Sequence, residues 1–91
     1  MIETSDLKPL QRQCLLACIS DTQQKLIRAR GGFAPTANRS NAFTTRTVMG
    51  LEAIGLLRRA GEFAMDAELT APGRRLAEQL RDIEQAKAGA A

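Results

Sequence analysis

Residues 43–59 read FTTRTVMGLEAIGLLRR, and this pattern predicts a capped helix that leads directly into a strand. Thr44 is of a type favoured at helix N-caps, and the aromatic Phe43 before it can pack against the valine four positions into the helix. Gly55 suits the left-handed conformation that ends many helices, with an apolar residue folding back after it. We therefore predict a helix over residues 45–54.

The two faces of this predicted helix differ in character. One face collects Thr47, Val48, Leu51 and Ile54. The opposite face carries Thr45, Arg46, Met49, Gly50 and Ala53. A solvated helix face normally carries more charge than this. A small, nearly uncharged face with one arginine near the positive end of the helix suits insertion into a groove beside phosphates, or equally a protein contact.

The flanking sequence predicts two more helices and a β-hairpin. The first helix runs over residues 8–19, with a proline acceptably placed in its first turn. Two strands, over residues 56–60 and 66–69, follow the central helix. Thr70 is expected to cap a last helix, which has Pro72 in its first turn.

Residues 22–36 allow two interpretations. They could form a pair of strands, or a short helix that is stopped by the two glycines at positions 31–32. We favour a hairpin-like segment, because those glycines suit a tight turn and Phe33 could anchor the returning strand. Residues 34–41, APTANRSN, form a loop by composition.

The last helix carries an apolar stripe whose purpose is open. Leu76, Leu80 and Ile83 recur at the spacing of one helix face. The stripe could simply cover a small core, or it could be the surface through which a homodimer forms.

The length and composition indicate one small domain. The chain has 91 residues, of which 44% are hydrophobic and 25% are charged, as in typical soluble proteins. We place the domain at residues 7–85, between a flexible N-terminus (1–6) and a flexible tail (86–91). No apolar run is long enough to span a membrane, and the acidic start MIETSD differs from a secretion signal, so we expect a cytoplasmic protein with no membrane partner.

The residues that most enzymes and metal sites need are scarce. The chain has no histidine, so the commonest general base and metal ligand is missing. Cys14 and Cys18 lie one turn apart on the predicted first helix, where we expect two buried thiols rather than a redox pair, because they lack the Cys-X-X-Cys spacing. We therefore expect no enzyme activity, no cofactor and no metal.

Positive charge is concentrated in the middle of the chain. Residues 25–59 carry seven basic residues and one acidic residue, a net charge of +6, whereas the segments before and after carry −1 and −2. Like charges repel one another, so such a segment is typical of proteins that bind a polyanion; the alternative is an ordinary solvated face. Six of the seven cations are arginine, whose planar fork fits phosphates and guanine edges.

The order of these elements resembles the winged helix-turn-helix domain. The likeness is carried by residues 43–59 and by residues 69–75, LTAPGRR, and it covers about half of the chain. It is closest to regulators of the multiple-antibiotic-resistance repressor type and to short bacterial winged-helix proteins. The resemblance implies an α+β fold, a small winged helix-turn-helix with three or so helices and a short antiparallel β-hairpin wing.

The resemblance also implies a function, double-stranded DNA binding by a small bacterial transcriptional regulator or accessory factor. In that family the helix matching residues 45–54 enters the major groove. Carried over to this sequence, Thr44 and Thr45 would contact phosphates, while Arg46, a match for guanine, and Met49 would face bases. The full set of expected DNA-binding residues is Lys25, Arg28, Arg30, Arg39, Thr44, Thr45, Arg46, Met49, Arg58 and Arg59.

Two features depart from the family pattern. The expected wing tip, residues 61–66, has two acidic residues and no cation. Thirteen residues separate Arg30 from Thr44, where a helix-turn-helix has a turn of about 3–4 residues. The alternative function is a protein–protein interaction module that keeps the winged-helix frame, binds an acidic partner and does not bind DNA.

Overall fold

The computed structural model describes residues 3–21, 23–36, 41–61 and 65–89 of the chain. Within these ranges the chain forms an α+β fold with three α-helices and a five-stranded antiparallel sheet. The elements in chain order are a short 3₁₀ helix Thr4–Asp6, α1 Pro9–Ser20, β1 Lys25–Ala29, β2 Gly32–Pro35, β3 Phe43–Thr44, α2 Thr45–Ala53, β4 Leu57–Ala60, β5 Asp66–Leu69 and α3 Ala71–Gly89.

The sheet is larger than the short hairpin that the resemblance implies. Its strand order is β3-β2-β1-β5-β4, and every neighbouring pair is antiparallel. Hairpin β4–β5 is the pair predicted as the wing. The three further strands come from residues 25–44, where β1 lies between β2 and β5.

The hairpin interpretation of residues 22–36 is confirmed. In β1 and β2, Leu26 faces Pro35 and Arg28 faces Phe33 across the ladder. The loop predicted over residues 34–41 is wrong at its start, because Ala34 and Pro35 belong to β2. Burial explains the extension: both are buried, and Ala34 is completely covered.

The predicted helices form close to their expected limits. Helix α1 is displaced by one residue from the range 8–19. Helix α2 is N-capped as predicted, since the Thr44 hydroxyl accepts a hydrogen bond of 3.3 Å from the Thr47 amide. At its end Gly55 takes the left-handed conformation (φ +82°), and the Leu56 amide donates to the Leu51 carbonyl at 2.9 Å. These bonds stop the helix before the strand begins.

One hydrophobic core lies between the helices and one face of the sheet. Leu15 of α1, Leu51 of α2 and Ala77 of α3 join Leu26 and Phe33 of the sheet in a single cluster, and all five are fully buried. The core is thus built from all three helices and the strands between them.

The two cysteines also lie in this core. Cys14 and Cys18 are completely covered and carry free thiols, which confirms the expected buried pair.

The apolar stripe of α3 mainly covers the core. Leu76 and Leu80 are 5% and 6% exposed, whereas Ile83 is 43% exposed. Two of the three residues expected in a homodimer surface are therefore already buried within a single chain. The prediction of a dimer through this stripe gains no support.

The ends of the described chain have regular structure. Thr4–Asp6, within the expected flexible N-terminus, form the 3₁₀ helix, and α3 extends to Gly89, into the expected tail. Among the described residues, no helix combines the length and the apolar character that a membrane crossing requires.

Candidate nucleic-acid interface

The outward face of α2 presents most of the side chains predicted to meet DNA. Phe43 and Val48 anchor the start of this helix in the core, at 7% and 0% exposure. The opposite side of the helix is consequently turned to solvent, with Arg46 exposed and Met49 55% exposed. Thr45 lies half-buried at its margin.

The apolar face of α2 is narrower than predicted. Val48 and Leu51 are fully buried, but Ile54 is 39% exposed. The reason is that the helix ends at Ala53, so Ile54 belongs to the turn rather than to the buried stripe.

The acidic residue of α2 is engaged inside the fold. Glu52 accepts a hydrogen bond from Arg59 Nε at 3.1 Å, and the two side chains are 38% and 25% exposed. Among the described residues, the solvent face of α2 therefore displays no unpaired carboxylate, while Arg46 forms no ion pair there. The electrostatic character of this face is positive.

A groove of about 790 Å³ separates the start of α1 from α2. We call it the α1–α2 groove; it is lined by residues 8–11 and by Arg46, Thr47 and Gly50. The two helices nearly touch here, since a Cβ placed on Gly50 would lie 3.4 Å from Gln11 Nε2. Lys8, which is exposed, thus shares one groove with Arg46.

Lys8 was missed by the reasoning from sequence. The charge pattern places it in an N-terminal segment with a net charge of −1, and nothing local links residue 8 to residue 46. The fold brings the two together by packing α1 against α2. Lys8 can be recognised as a candidate only when the packing of these two helices is known.

Arg28 and Arg59 meet at the buried ring of Phe33. The guanidinium carbons lie 5.7 Å and 4.7 Å from the ring centroid. Arg59 projects from the same face of the sheet as Ala67 and Leu26, which are its neighbours across the strands. Its guanidinium is therefore enclosed between α2 and the sheet.

Lys25 and Arg58 project from the other face of the sheet. Side chains alternate along a strand, so Arg58 points to the face of the sheet opposite Arg59, which is bonded to α2. Arg58 donates to Glu68 at 3.2 Å, and Lys25 donates to Asp66 at 3.2 Å. The exposure differs: the side chain of Arg58 is 68% exposed and that of Lys25 is 26% exposed.

The predicted DNA-binding residues thus lie in separate places. One group surrounds the start of α2, a second lies at Phe33, and a third lies on the far side of the sheet beside Glu68. Arg30 is exposed in the turn between β1 and β2. Arg39 lies outside the described residues. The charge pattern alone would suggest that the central cations converge on one helix. In the structure they do not.

The expected wing tip is only partly described, since residues 62–64 lie outside the described ranges. Met65 is 47% exposed, and its carbonyl accepts a 2.9 Å hydrogen bond from the Arg28 amide. Asp66 is held by Lys25. One of the two acids at the tip is therefore paired.

The thiols offer little reactivity. Burial raises the pKa of both Cys14 and Cys18 to about 12, and the charge of nearby Asp21 contributes further at Cys18. Within the described ranges, no group of three or more Cys, Asp or Glu side chains is arranged to hold a metal ion.

A scan against protein-family models gave no match, and neither did searches of curated proteins and solved structures.

Proposed function

We propose that this chain binds double-stranded DNA through α2, as a small winged helix-turn-helix protein that serves as a bacterial transcriptional regulator or accessory factor. One observation carries the proposal: the solvent face of α2 combines an unpaired arginine with small neutral side chains, and the acid of that helix is bound to Arg59. The phosphates that line the major groove of DNA attract a face with positive charge and no free carboxylate.

The order of elements supports the winged-helix frame. Helix α2 leads directly into hairpin β4–β5, and β5 pairs with β1, so that a strand before the helix and the hairpin after it share one sheet. The frame is atypical, because β2 and β3 stand between β1 and α2. Helix α1 packs beside α2 without a short turn joining them.

The dimensions of α2 fit the proposed role. An α-helix with its side chains is about 10–12 Å in diameter, which fits the major groove of B-DNA, about 12 Å wide. The nine residues of α2 give it a length of about 13 Å. Arg46 and Met49 would face the base edges, and Thr44 and Thr45 would contact phosphates. Arg46 is the residue that we expect to discriminate between bases, since a bidentate arginine–guanine pair contributes about 1–3 kcal/mol of discrimination.

The other cations divide by their surroundings. Arg28 and Arg30 are exposed and could reach the DNA backbone. Arg58 is held by an exposed ion pair, and such pairs open at small cost. We assign Lys25 and Arg59 to the fold instead, because each is about three-quarters buried and paired.

A second function is favoured by different observations. Met49 is 55% exposed on α2, and the cations on the far side of the sheet already have acidic partners in the chain. The alternative is a protein-interaction module on the same frame that does not bind DNA. Its partner would contact the apolar Met49 on α2 and the positive charge of Arg46 beside it.

A salt titration separates the two functions. Fluorescence anisotropy with labelled duplex DNA would be measured at several salt concentrations, and selection of bound duplexes from a random pool would follow. If the protein binds DNA, the slope of log binding constant against log salt concentration (the log–log slope) falls by about 0.9 for each neutralised phosphate. Three to four phosphate contacts therefore give a slope of about −3. Absent or salt-independent binding at low salt would reject the DNA proposal in favour of the interaction module.

A further inference from the structure

We propose that Lys8, on the α1 wall of the α1–α2 groove, binds a backbone phosphate of the duplex while Arg46, on the α2 wall, faces the bases, so that Lys8 anchors α2 in the major groove. This inference rests on the proposed function and deepens it. It adds a phosphate contact from α1, an element that the charge pattern does not connect with DNA.

The groove is positively charged on both walls. Lys8 stands at the start of α1 and Arg46 in the first turn of α2, and both side chains are exposed. Neither forms an ion pair within the part of the chain that the structure describes. Two unpaired cations that face one groove attract an anionic duplex to it.

No described side chain that lines the groove is acidic. Three other grooves in the described structure each include a carboxylate, from Glu84, Glu3 or Glu52. Each of those three grooves also includes one arginine, so its lining charges balance, whereas the lining of the α1–α2 groove is net positive. Its volume of about 790 Å³ lies within the range of about 300–1,000 Å³ typical of ligand clefts.

Neutral donors complete the lining. Gln11 Oε1 accepts a 2.9 Å hydrogen bond from the Lys8 amide, which leaves the Nε2 amide of Gln11 as a donor near Gly50. Lys8 supplies a point charge for a phosphate oxygen, while the planar fork of Arg46 stays available for a base edge. Phosphate contacts of this kind fix the position of a recognition element without reading sequence.

The test compares variants that each lose one charge in salt titrations with duplex DNA. Lys8→Gln is expected to make the slope of log binding constant against log salt concentration shallower by about 0.9 for every duplex. The fold-loss of affinity between 0.05 and 0.2 M salt is then about threefold smaller for this variant than for the unmodified protein. Lys8→Arg should retain the slope. Arg75→Gln is the matched control, because Arg75 is exposed on α3 in a different groove that contains Glu3.

The possible outcomes separate this inference from the proposed function. Equal slopes for Lys8→Gln and Arg75→Gln, in a protein that still binds DNA, would overturn the Lys8 contact and leave the DNA proposal standing. Failure of the unmodified protein to bind duplex DNA would overturn both. Binding of polyglutamate with no binding of duplex would do the same and would identify an acidic protein as the partner.

Discussion

The guanidinium of Arg59 lies 4.7 Å above the centre of the Phe33 ring while its Nε donates to Glu52 at 3.1 Å. One side chain thereby joins β4, β2 and α2. Phe33 is completely buried, so the cation lies over the ring of a core residue rather than in free solvent. The contact links α2, whose exposed face carries Arg46, to the sheet.

Replacing Arg59 with alanine should destabilise the fold. The change removes a partly desolvated cation–π contact and leaves Glu52 without its partner, for an expected loss of about 1–2 kcal/mol in the free energy of unfolding. Urea denaturation followed by circular dichroism measures it.

Arg58→Ala provides the control for Arg59→Ala, one position along the same strand. The side chain of Arg58 is 68% exposed, so its loss should cost no more than about 0.5 kcal/mol. Equal effects of the two substitutions would show that Arg59 does not hold α2 to the sheet.

Gly73→Ala should destabilise the protein although it places a better helix former in α3. A Cβ on Gly73 would overlap the carbonyl group of Leu56, whose oxygen accepts a hydrogen bond from the Thr70 amide. We expect a loss of about 1–3 kcal/mol, as for other forced overlaps in packed regions.

Gly50→Ala is the matched substitution in α2, where the space beside the glycine can accept a methyl group. There the added Cβ meets only the flexible end of Gln11 at 3.4 Å, and Gly→Ala in a helix interior normally contributes up to about 1 kcal/mol. The two variants should therefore shift the melting temperature in opposite directions. A gain in both would mean that Leu56 does not crowd position 73.

The buried thiols should make the fold sensitive to high pH. Because the pKa of Cys14 and Cys18 is about 12 when folded and near 9 when the thiols are exposed, the unfolded chain loses their protons first. Stability is then intact below about pH 9 and falls as the pH rises toward 12, by about 1.4 kcal/mol per pH unit for each thiol. Urea unfolding between pH 8 and 11 would follow this loss.

A double Cys14→Ala, Cys18→Ala variant isolates the contribution of the thiols. It loses packing at every pH, but the difference in stability between it and the unmodified protein should shrink above pH 9. A difference that stays constant over that range would show that the thiols do not titrate with a raised pKa.

Local signals in the sequence were sufficient for the helices and turns. The N-caps at Thr44 and Thr70 and the end of α2 at Gly55 each depend on neighbours within a few residues. Strand β3 and the extension of β2 through Pro35 were harder, because a ladder such as Phe33 opposite Phe43 joins distant residues and leaves little trace in either segment alone.

The candidate site was predictable only in part. The exposed face of α2 follows from helical periodicity, so Arg46 and Met49 could be placed without coordinates. Charge counting could not distinguish Arg58 from Arg59, although alternation along a strand sends them to opposite faces. Nor could it pair Lys25 with Asp66, or bring Lys8 beside Arg46, since these depend on which elements pack together.

The separate positions of Arg46 and Arg58 predict different effects on DNA recognition. Arg46 lies on the exposed face of α2, so Arg46→Ala should relax the preference for one base pair and lower affinity for the best duplex by about 5- to 150-fold. Arg58 projects from the far side of the sheet and is bound to Glu68, so Arg58→Ala should leave the base preference unchanged and alter the log–log slope by less than one. Duplex selection from a random pool, repeated with each variant, measures both effects. If Arg46→Ala kept the full preference while Arg58→Ala lost it, the far face of the sheet, and not α2, would be the surface that meets DNA.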